Sequence, residues 1–131
     1  APNYYDEIGL GIDFTARDLQ QSLKEKGLPW EKAKGFDGAA VIGQWVSKEK
    51  FKNINEINFS LLKNNEIVQE GNTNLMLWKI DELIAYVSKF FTLKKGDILF
   101  TGTPAGVGSV KTNDYLSGKL EGVEMFNLNI R

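Results

Sequence analysis

The sequence predicts an α+β fold in which a mixed, mostly antiparallel β-sheet curls around a core and carries two or three short helices. Three observations predict it: several short segments with strand periodicity, one strong hairpin signal, and two amphipathic segments at unequal spacing along the chain. A regular βαβ winding would alternate strands and helices evenly, and this pattern does not. We therefore expect a single domain over residues 1–131, long enough to bury a core without disulfides.

The first strand and helix lie near the start of the chain. Residues 8–14 alternate large apolar side chains with glycine or a carboxylate, which is the period of a strand. Residues 15–18 (Thr-Ala-Arg-Asp) match a capping box, in which a hydroxyl caps a helix and an acid three residues later returns the bond. The helix should then run through residues 19–26 and stop at Gly27.

This arrangement brings three polar side chains together. Asp13 would project from the end of the strand, while Arg17 and Gln20 lie three residues apart on one face of the helix. The simplest interpretation is structural, with Asp13 and Arg17 forming an ordinary ion pair. Lys34 is likewise expected to be an ordinary solvated loop lysine.

The rest of the chain supplies the remaining elements. A hairpin is expected at residues 64–65, two Asn residues that tolerate the positive φ of a tight turn. A stripe of apolar residues predicts the second helix. The further predictions are strands at 39–46, 59–63, 66–70, 96–101 and 123–130, a helix at 80–91, and an ordered loop at 29–38.

Composition limits the chemistry. The chain has 16 basic and 17 acidic residues, no His and no Cys. The absence of His and Cys from the sequence excludes an imidazole base, a thiolate nucleophile and a His/Cys metal cage within this chain. A net charge near −1 argues against nucleic acid as a partner. Apolar runs far shorter than a membrane span and the lack of cysteine favour a cytoplasmic protein with no membrane partner.

A glycine-rich segment at residues 102–108 raises the question of phosphate binding. Its spacing matches neither the nucleotide P-loop nor the dinucleotide fingerprint, and no helix pattern follows it. A tight turn whose glycines adopt positive φ explains the segment more simply.

Three motifs in order nevertheless resemble a known family. They are GIDFTARDLQ at 11–20, KGLPWEKAKGFD at 26–37 and GDILFTGTPAGVG at 96–108, and QEGNT at 69–73 and AYVS at 85–88 resemble its middle section. Together they make the chain similar to the fumarylacetoacetate hydrolase family, and particularly to its small acylpyruvase-like members. That resemblance implies a curled β-roll, a homodimer, and a divalent cation held by carboxylates, normally Mg2+, with Mn2+ or Ca2+ as alternatives.

The resemblance also implies roles for individual residues. Asp13 matches a metal-binding carboxylate of the family, and Lys34 matches the lysine that stabilises developing negative charge. Arg17 and Gln20 match a pair that holds substrate oxygens, and Thr103 matches a substrate-contacting hydroxyl. The family's other two metal carboxylates belong to an H-x-E-x-E segment that this chain lacks. We therefore expect the chain to be the C-terminal portion of a family member, with those ligands lost, cleaved off or carried by another polypeptide.

The function implied is metal-dependent cleavage of a C–C bond next to a carbonyl, through an enolate. The substrate would be a small 2-oxo acid or 1,3-dicarbonyl, consumed by acylpyruvate hydrolysis or oxaloacetate-type decarboxylation. One alternative is an isomerase or tautomerase acting on an unsaturated 2-oxo diacid. Another is a truncated, non-catalytic dimerisation or binding module.

A single metal carboxylate predicts weak binding, because Mg2+ demands near-ideal octahedral geometry and this chain would offer it one side-chain ligand. Titration calorimetry of the isolated chain should therefore show little Mg2+ binding, and turnover should be low. A micromolar dissociation constant would contradict this expectation.

Overall fold

The computed structural model describes residues 2–131 and confirms the α+β class. A two-stranded sheet pairs β1 with β2, and a four-stranded sheet has the order β4-β3-β5-β6. The strands are β1 (Glu7–Asp13), β2 (Ala40–Ser47), β3 (Asn58–Lys63), β4 (Glu66–Asn72), β5 (Tyr115–Leu120) and β6 (Val123–Asn129). The α-helices are α1 (Arg17–Glu25), α2 (Glu31–Lys34) and α3 (Ile80–Val87).

The chain divides into two compact units. One unit is Gly11–Ile42, and the other combines the residues up to Leu10 with Gly43–Arg131. Strands β1 and β2 contribute residues to both units. The smaller unit contains helices α1 and α2, and the larger contains the four-stranded sheet and α3.

The four-stranded sheet has one apolar face, which carries the core of the larger unit. All its pairings are antiparallel, and Phe59 of β3 lies opposite Leu120 of β5. Successive side chains of a strand point to opposite faces, so Leu116 and Leu120 share a face, and both are buried. Leu120 packs with Ile57 and Met125 in the hydrophobic core.

Two tight turns fix this register. Asn64 and Asn65 have φ values of 53° and 70°, so the predicted hairpin between β3 and β4 is confirmed. A second turn at Glu121 and Gly122, with φ values of 49° and 78°, connects β5 to β6. Strand β5 itself is not among the predicted elements, although it lies inside the sheet between β3 and β6.

Two predicted elements differ from the structure. The segment 96–101 forms no strand, because none of the residues 2–131 pairs with it and an isolated extended segment gains no ladder hydrogen bonds. The predicted helix 80–91 ends at Val87. There the Ser88 hydroxyl donates to the Ala85 carbonyl at 2.9 Å, a local bond that competes with further helical pairing.

Most of the other local predictions agree with the structure, and one does not. Strands β1, β2 and β6 and the end of helix α1 near Gly27 agree with expectation, and Gly27 has a φ of 63°. The segment 29–38 is not a plain loop, since it contains helix α2. Among residues 2–131, no helix combines the length and the apolar character needed to cross a lipid bilayer.

An acid-sensitive contact ties β5 to β6. The Glu124 carboxylate accepts hydrogen bonds from Ser117 Oγ at 2.7 Å and Asn127 Nδ2 at 2.8 Å. The bond from Asn127, followed by that from Ser117, lowers the pKa of Glu124 below its ordinary value of 4.5. The carboxylate therefore stabilises the fold above that ordinary value, and the stabilisation is lost as the pH falls towards the lower folded pKa.

We expect Glu124→Gln to lower the free energy of unfolding at pH 7 and to flatten its decline below about pH 4.5, the unfolded-state pKa. Urea unfolding followed by circular dichroism across that range measures both effects. Glu66→Gln is the matched control, because the Glu66 carboxylate accepts no hydrogen bond from residues 2–131 and the variant should keep the wild-type slope. Equal slopes in wild type and Glu124→Gln would refute the prediction.

Candidate functional site

The centre of the candidate site is the ammonium group of Lys34. Lys34 Nζ lies 2.6 Å from Asp13 Oδ2 and donates to Thr15 Oγ1 at 2.8 Å. Asp13 is the last residue of β1, and Lys34 is the last residue of α2. The structure thus brings together two residues that are 21 positions apart in the sequence.

Thr15 has a different role from the predicted one. Helix α1 begins at Arg17 with Ala16 as its N-cap, and no side chain caps it. The capping-box prediction is therefore wrong. The Thr15 hydroxyl instead accepts a hydrogen bond from Lys34 Nζ and donates one to the Asp13 carbonyl at 3.4 Å. A charged donor makes the stronger hydrogen bond, so the lysine outcompetes the backbone amides of the first turn.

Helix α2 forms despite its four-residue length because tertiary contacts hold it. Its Ala33 is fully buried, and the Ala33 carbonyl accepts from Ala16 N at 3.0 Å. Short helices are marginal alone and depend on such packing. The prediction of a loop here is consequently wrong, and Lys34 projects from an ordered helical turn rather than from a solvated loop.

Arg17 and Gln20 make a second pair, as the helical spacing predicts. Arg17 Nη1 donates to Gln20 Oε1 at 2.9 Å. Among residues 2–131, Arg17 forms no ion pair with Asp13, so the simple structural pairing of those two residues is wrong. A guanidinium has five N–H donors, and the bond to Gln20 uses one of them. The others remain available for a carboxylate.

The ion pair is accessible. The side chains of Lys34 and Asp13 are 36% and 48% exposed, so a small ligand could reach both. Within the part of the chain that the structure describes, it is the only salt bridge. Charged surface groups normally remain solvated or pair loosely, so a lysine held by both a carboxylate and a hydroxyl is a distinctive arrangement.

Thr103 belongs to the larger unit. Gln69 Nε2 donates to Thr103 Oγ1 at 3.0 Å and to the Pro104 carbonyl at 3.1 Å. Gly102 and Gly106 adopt φ values of 116° and 96°, as expected for a turn that uses positive φ. The glycine-rich segment is therefore a turn fastened to β4, and no helix follows it.

The described residues do not make a complete cation site. No three Asp, Glu, His or Cys side chains within residues 2–131 are grouped so that they could hold a metal ion. Asp13 offers the hard carboxylate oxygen that Mg2+ and Mn2+ prefer, but it is one ligand and is already bonded to Lys34. A divalent cation would need ligands beyond these.

Sequence reasoning missed two members of these clusters. The sequence pattern places Thr15 at the helix cap, and only its position two residues after Asp13 suggests a shared partner. Gln69 lies in the QEGNT segment that resembles the family, yet nothing in its spacing indicates a bond to residue 103. Both contacts are long-range and leave no local sequence pattern.

Comparison with known proteins identifies relatives over the whole chain. A model of the fumarylacetoacetate hydrolase C-terminal region matches residues 1–126. The mitochondrial oxaloacetate tautomerase FAHD1 of Mus musculus is 40% identical over 131 residues, which is 100% of this chain and 59% of that protein. The mitochondrial oxaloacetate decarboxylase of Dictyostelium discoideum is 37% identical, over 95% of this chain and 57% of that protein.

A solved structure agrees. Fumarylpyruvate hydrolase from Pseudomonas aeruginosa, in complex with Mn2+ and pyruvate, superposes with a TM-score of 0.93 at 33% identity, covering 99% of this chain and 56% of that one. The chain therefore spans just over half the length of these relatives. Because the family model matches nearly every residue, the chain belongs to the fumarylacetoacetate hydrolase family.

Proposed function

We propose that this chain carries the enolate-stabilising part of a divalent-cation-dependent enzyme that interconverts the keto and enol forms of an oxaloacetate-type 2-oxo diacid. The observation that carries the proposal is the Lys34 ammonium, held by Asp13 and Thr15 at 2.6 and 2.8 Å. The mouse relative, an oxaloacetate tautomerase, supports this choice of reaction.

Lys34 would stabilise the negative charge that forms on the substrate oxygen. An ammonium has three N–H donors, and Asp13 and Thr15 accept two of them. The third would donate to the enolate oxygen. Because its two protein partners fix the ammonium beforehand, little reorganisation is needed as the charge develops, and such preorganised donors are effective in catalysis.

Arg17 and Gln20 would orient the diacid. Their mutual bond at 2.9 Å holds the guanidinium in one position, and its remaining donors match the two oxygens of a carboxylate. Thr103 would bind a further carboxylate or carbonyl oxygen through its hydroxyl.

Asp13 would supply one ligand of the cation. The relative from Pseudomonas aeruginosa binds Mn2+, and we propose Mg2+ or Mn2+ here, since both prefer oxygen ligands. The remaining carboxylates would come from residues outside this chain. We also propose that the chain is part of a single-domain catalytic unit, forms a homodimer and is cytoplasmic. These three proposals are drawn from the family resemblance and the composition.

Cleavage of a C–C bond is the second candidate, and two observations favour it. The Dictyostelium discoideum relative is an oxaloacetate decarboxylase, and the Pseudomonas aeruginosa relative is a fumarylpyruvate hydrolase. Loss of CO2 from a 2-oxo diacid leaves the enolate of the product 2-oxo acid, and hydrolytic cleavage of the C–C bond of an acylpyruvate expels pyruvate as its enolate. The same ammonium would stabilise either enolate.

We expect Lys34→Met, in the protein that contains this chain, to lower kcat for oxaloacetate roughly 100- to 1,000-fold, because one preorganised donor to the developing charge is removed. Metal affinity should change little. Ultraviolet absorbance of the enol reports tautomerisation, and a coupled assay for pyruvate reports decarboxylation, both with Mg2+ or Mn2+ present.

Lys32→Met is the matched control, since Lys32 lies on the same short helix, is exposed and donates no side-chain hydrogen bond to residues 2–131. It should retain wild-type turnover. Unchanged turnover in Lys34→Met would remove Lys34 from the mechanism. Pyruvate formation without enol-keto exchange would favour the second candidate.

A further inference from the structure

We propose that Gln69 is a positioning residue that fixes the Thr103 hydroxyl as a hydrogen-bond donor to an anionic substrate oxygen. The inference rests on the proposed function, in which Thr103 contacts the substrate. It adds a residue to which that function assigns no role of its own.

The amide nitrogen of the Gln69 side chain bonds only the turn. Its Nε2 group donates to Thr103 Oγ1 at 3.0 Å and to the Pro104 carbonyl at 3.1 Å. An amide NH2 has two donors, so these two contacts use both. Gln69 thus holds two consecutive residues of the turn at once, one by its side chain and the other by its backbone.

These bonds set the polarity of the Thr103 hydroxyl. A threonine hydroxyl has one proton to donate and two sites that accept. Because Oγ1 accepts from Gln69, its own proton points elsewhere, and no acceptor within residues 2–131 receives it. The exposed hydroxyl therefore presents a donor to the solvent, which suits a carboxylate or enolate oxygen.

The pairing of strand β4 with β3 fixes the position of Gln69. Gln69 lies opposite Leu61, and a register shift follows, so that Leu62 lies opposite Ile67 and Val68 is the extra, bulged residue. Bulges commonly redirect a side chain beside a functional site. Here the bulge is next to the residue that bonds the turn.

The turn contacts the same bulge through Gly106. With a φ of 96°, Gly106 lies so close to the Val68 carbonyl that a Cβ at this position would overlap the oxygen. Residues 97–111 contain no helix or strand, so the place of Thr103 depends on these side-chain and backbone contacts. Gln69 supplies the only side-chain hydrogen bonds from residues 2–131 to Thr103 and Pro104.

A substitution that reverses the hydrogen bond tests the polarity. In Gln69→Glu the carboxylate can only accept hydrogen bonds, so it would accept one from the Thr103 hydroxyl and would repel the Pro104 carbonyl. We expect KM for oxaloacetate to rise roughly 10- to 100-fold, the loss of a hydrogen bond to a charged group, with a smaller change in kcat. Gln69→Leu and Thr103→Val should each raise KM as well.

The double variant separates positioning from general stability. If Gln69 acts through Thr103, Gln69→Glu combined with Thr103→Val should raise KM no more than the larger single effect. Effects that multiply would overturn the proposal. Gln21→Leu is the matched control, because the Gln21 amide bonds only Glu25, at 2.8 Å, and KM should stay unchanged.

A readout without substrate keeps the inference distinct from the proposed function. The NMR order parameter of the Thr103 methyl group should fall in Gln69→Leu and stay unchanged in Gln21→Leu. If it does not fall, Gln69 does not hold the turn and the inference is wrong. If the wild type turns over no 2-oxo acid, the proposed function fails, and the donor role of Thr103 fails with it.

Discussion

The pairing of β3 with both β4 and β5 is the constraint on which the larger unit depends. It determines the alternation that turns Leu116 and Leu120 inward, and a shift by one residue would expose both. The hairpin at Asn64 and Asn65 limits the register, because a two-residue turn of positive φ permits few alternatives. The hydrophobic core and the base of the glycine-rich turn thus have a common origin.

The smaller unit follows a comparable logic with polar groups. One charged side chain, Lys34, has two partners that approach from a strand end and from the residue before a helix cap. Each partner was available for another use, Thr15 as a cap and Asp13 as a partner of Arg17. For Thr15, the bond from the ammonium is charge-assisted and therefore stronger than a neutral helix cap. Asp13 pairs with Lys34, while Arg17, an equally charged donor, bonds Gln20.

The accuracy of the sequence predictions follows the range of the interactions involved. The Asn-Asn hairpin, helix α1 and strand β1 depend on neighbouring residues, and the sequence predicts them correctly. Strand β5 contains Ser117 and Gly118 and looks unlike a strand, yet pairing on both sides makes it one. The segment 96–101 looks like a strand but does not form one, since its apolar residues have no partner strand among residues 2–131.

The candidate site was predictable to a different degree. Helical spacing sufficed to pair Arg17 with Gln20, and the structure shows that bond. Spacing says nothing about Lys34, which only the family resemblance singled out, and the structure adds that Asp13 and Thr15 hold it. Gln69 carries a contact across 34 residues, a separation at which a single sequence contains no signal.

The uninterrupted exposure of residues 88–103 has a consequence for handling the protein. Three lysines, Lys89, Lys94 and Lys95, lie in this stretch, and trypsin cuts exposed segments outside helices and strands most readily. A cut there would leave two fragments, with Lys34 on the first and Thr103 on the second. Strand β5 would still be hydrogen-bonded to β3, so the nicked protein would elute as one species in gel filtration until a denaturant separated the two fragments.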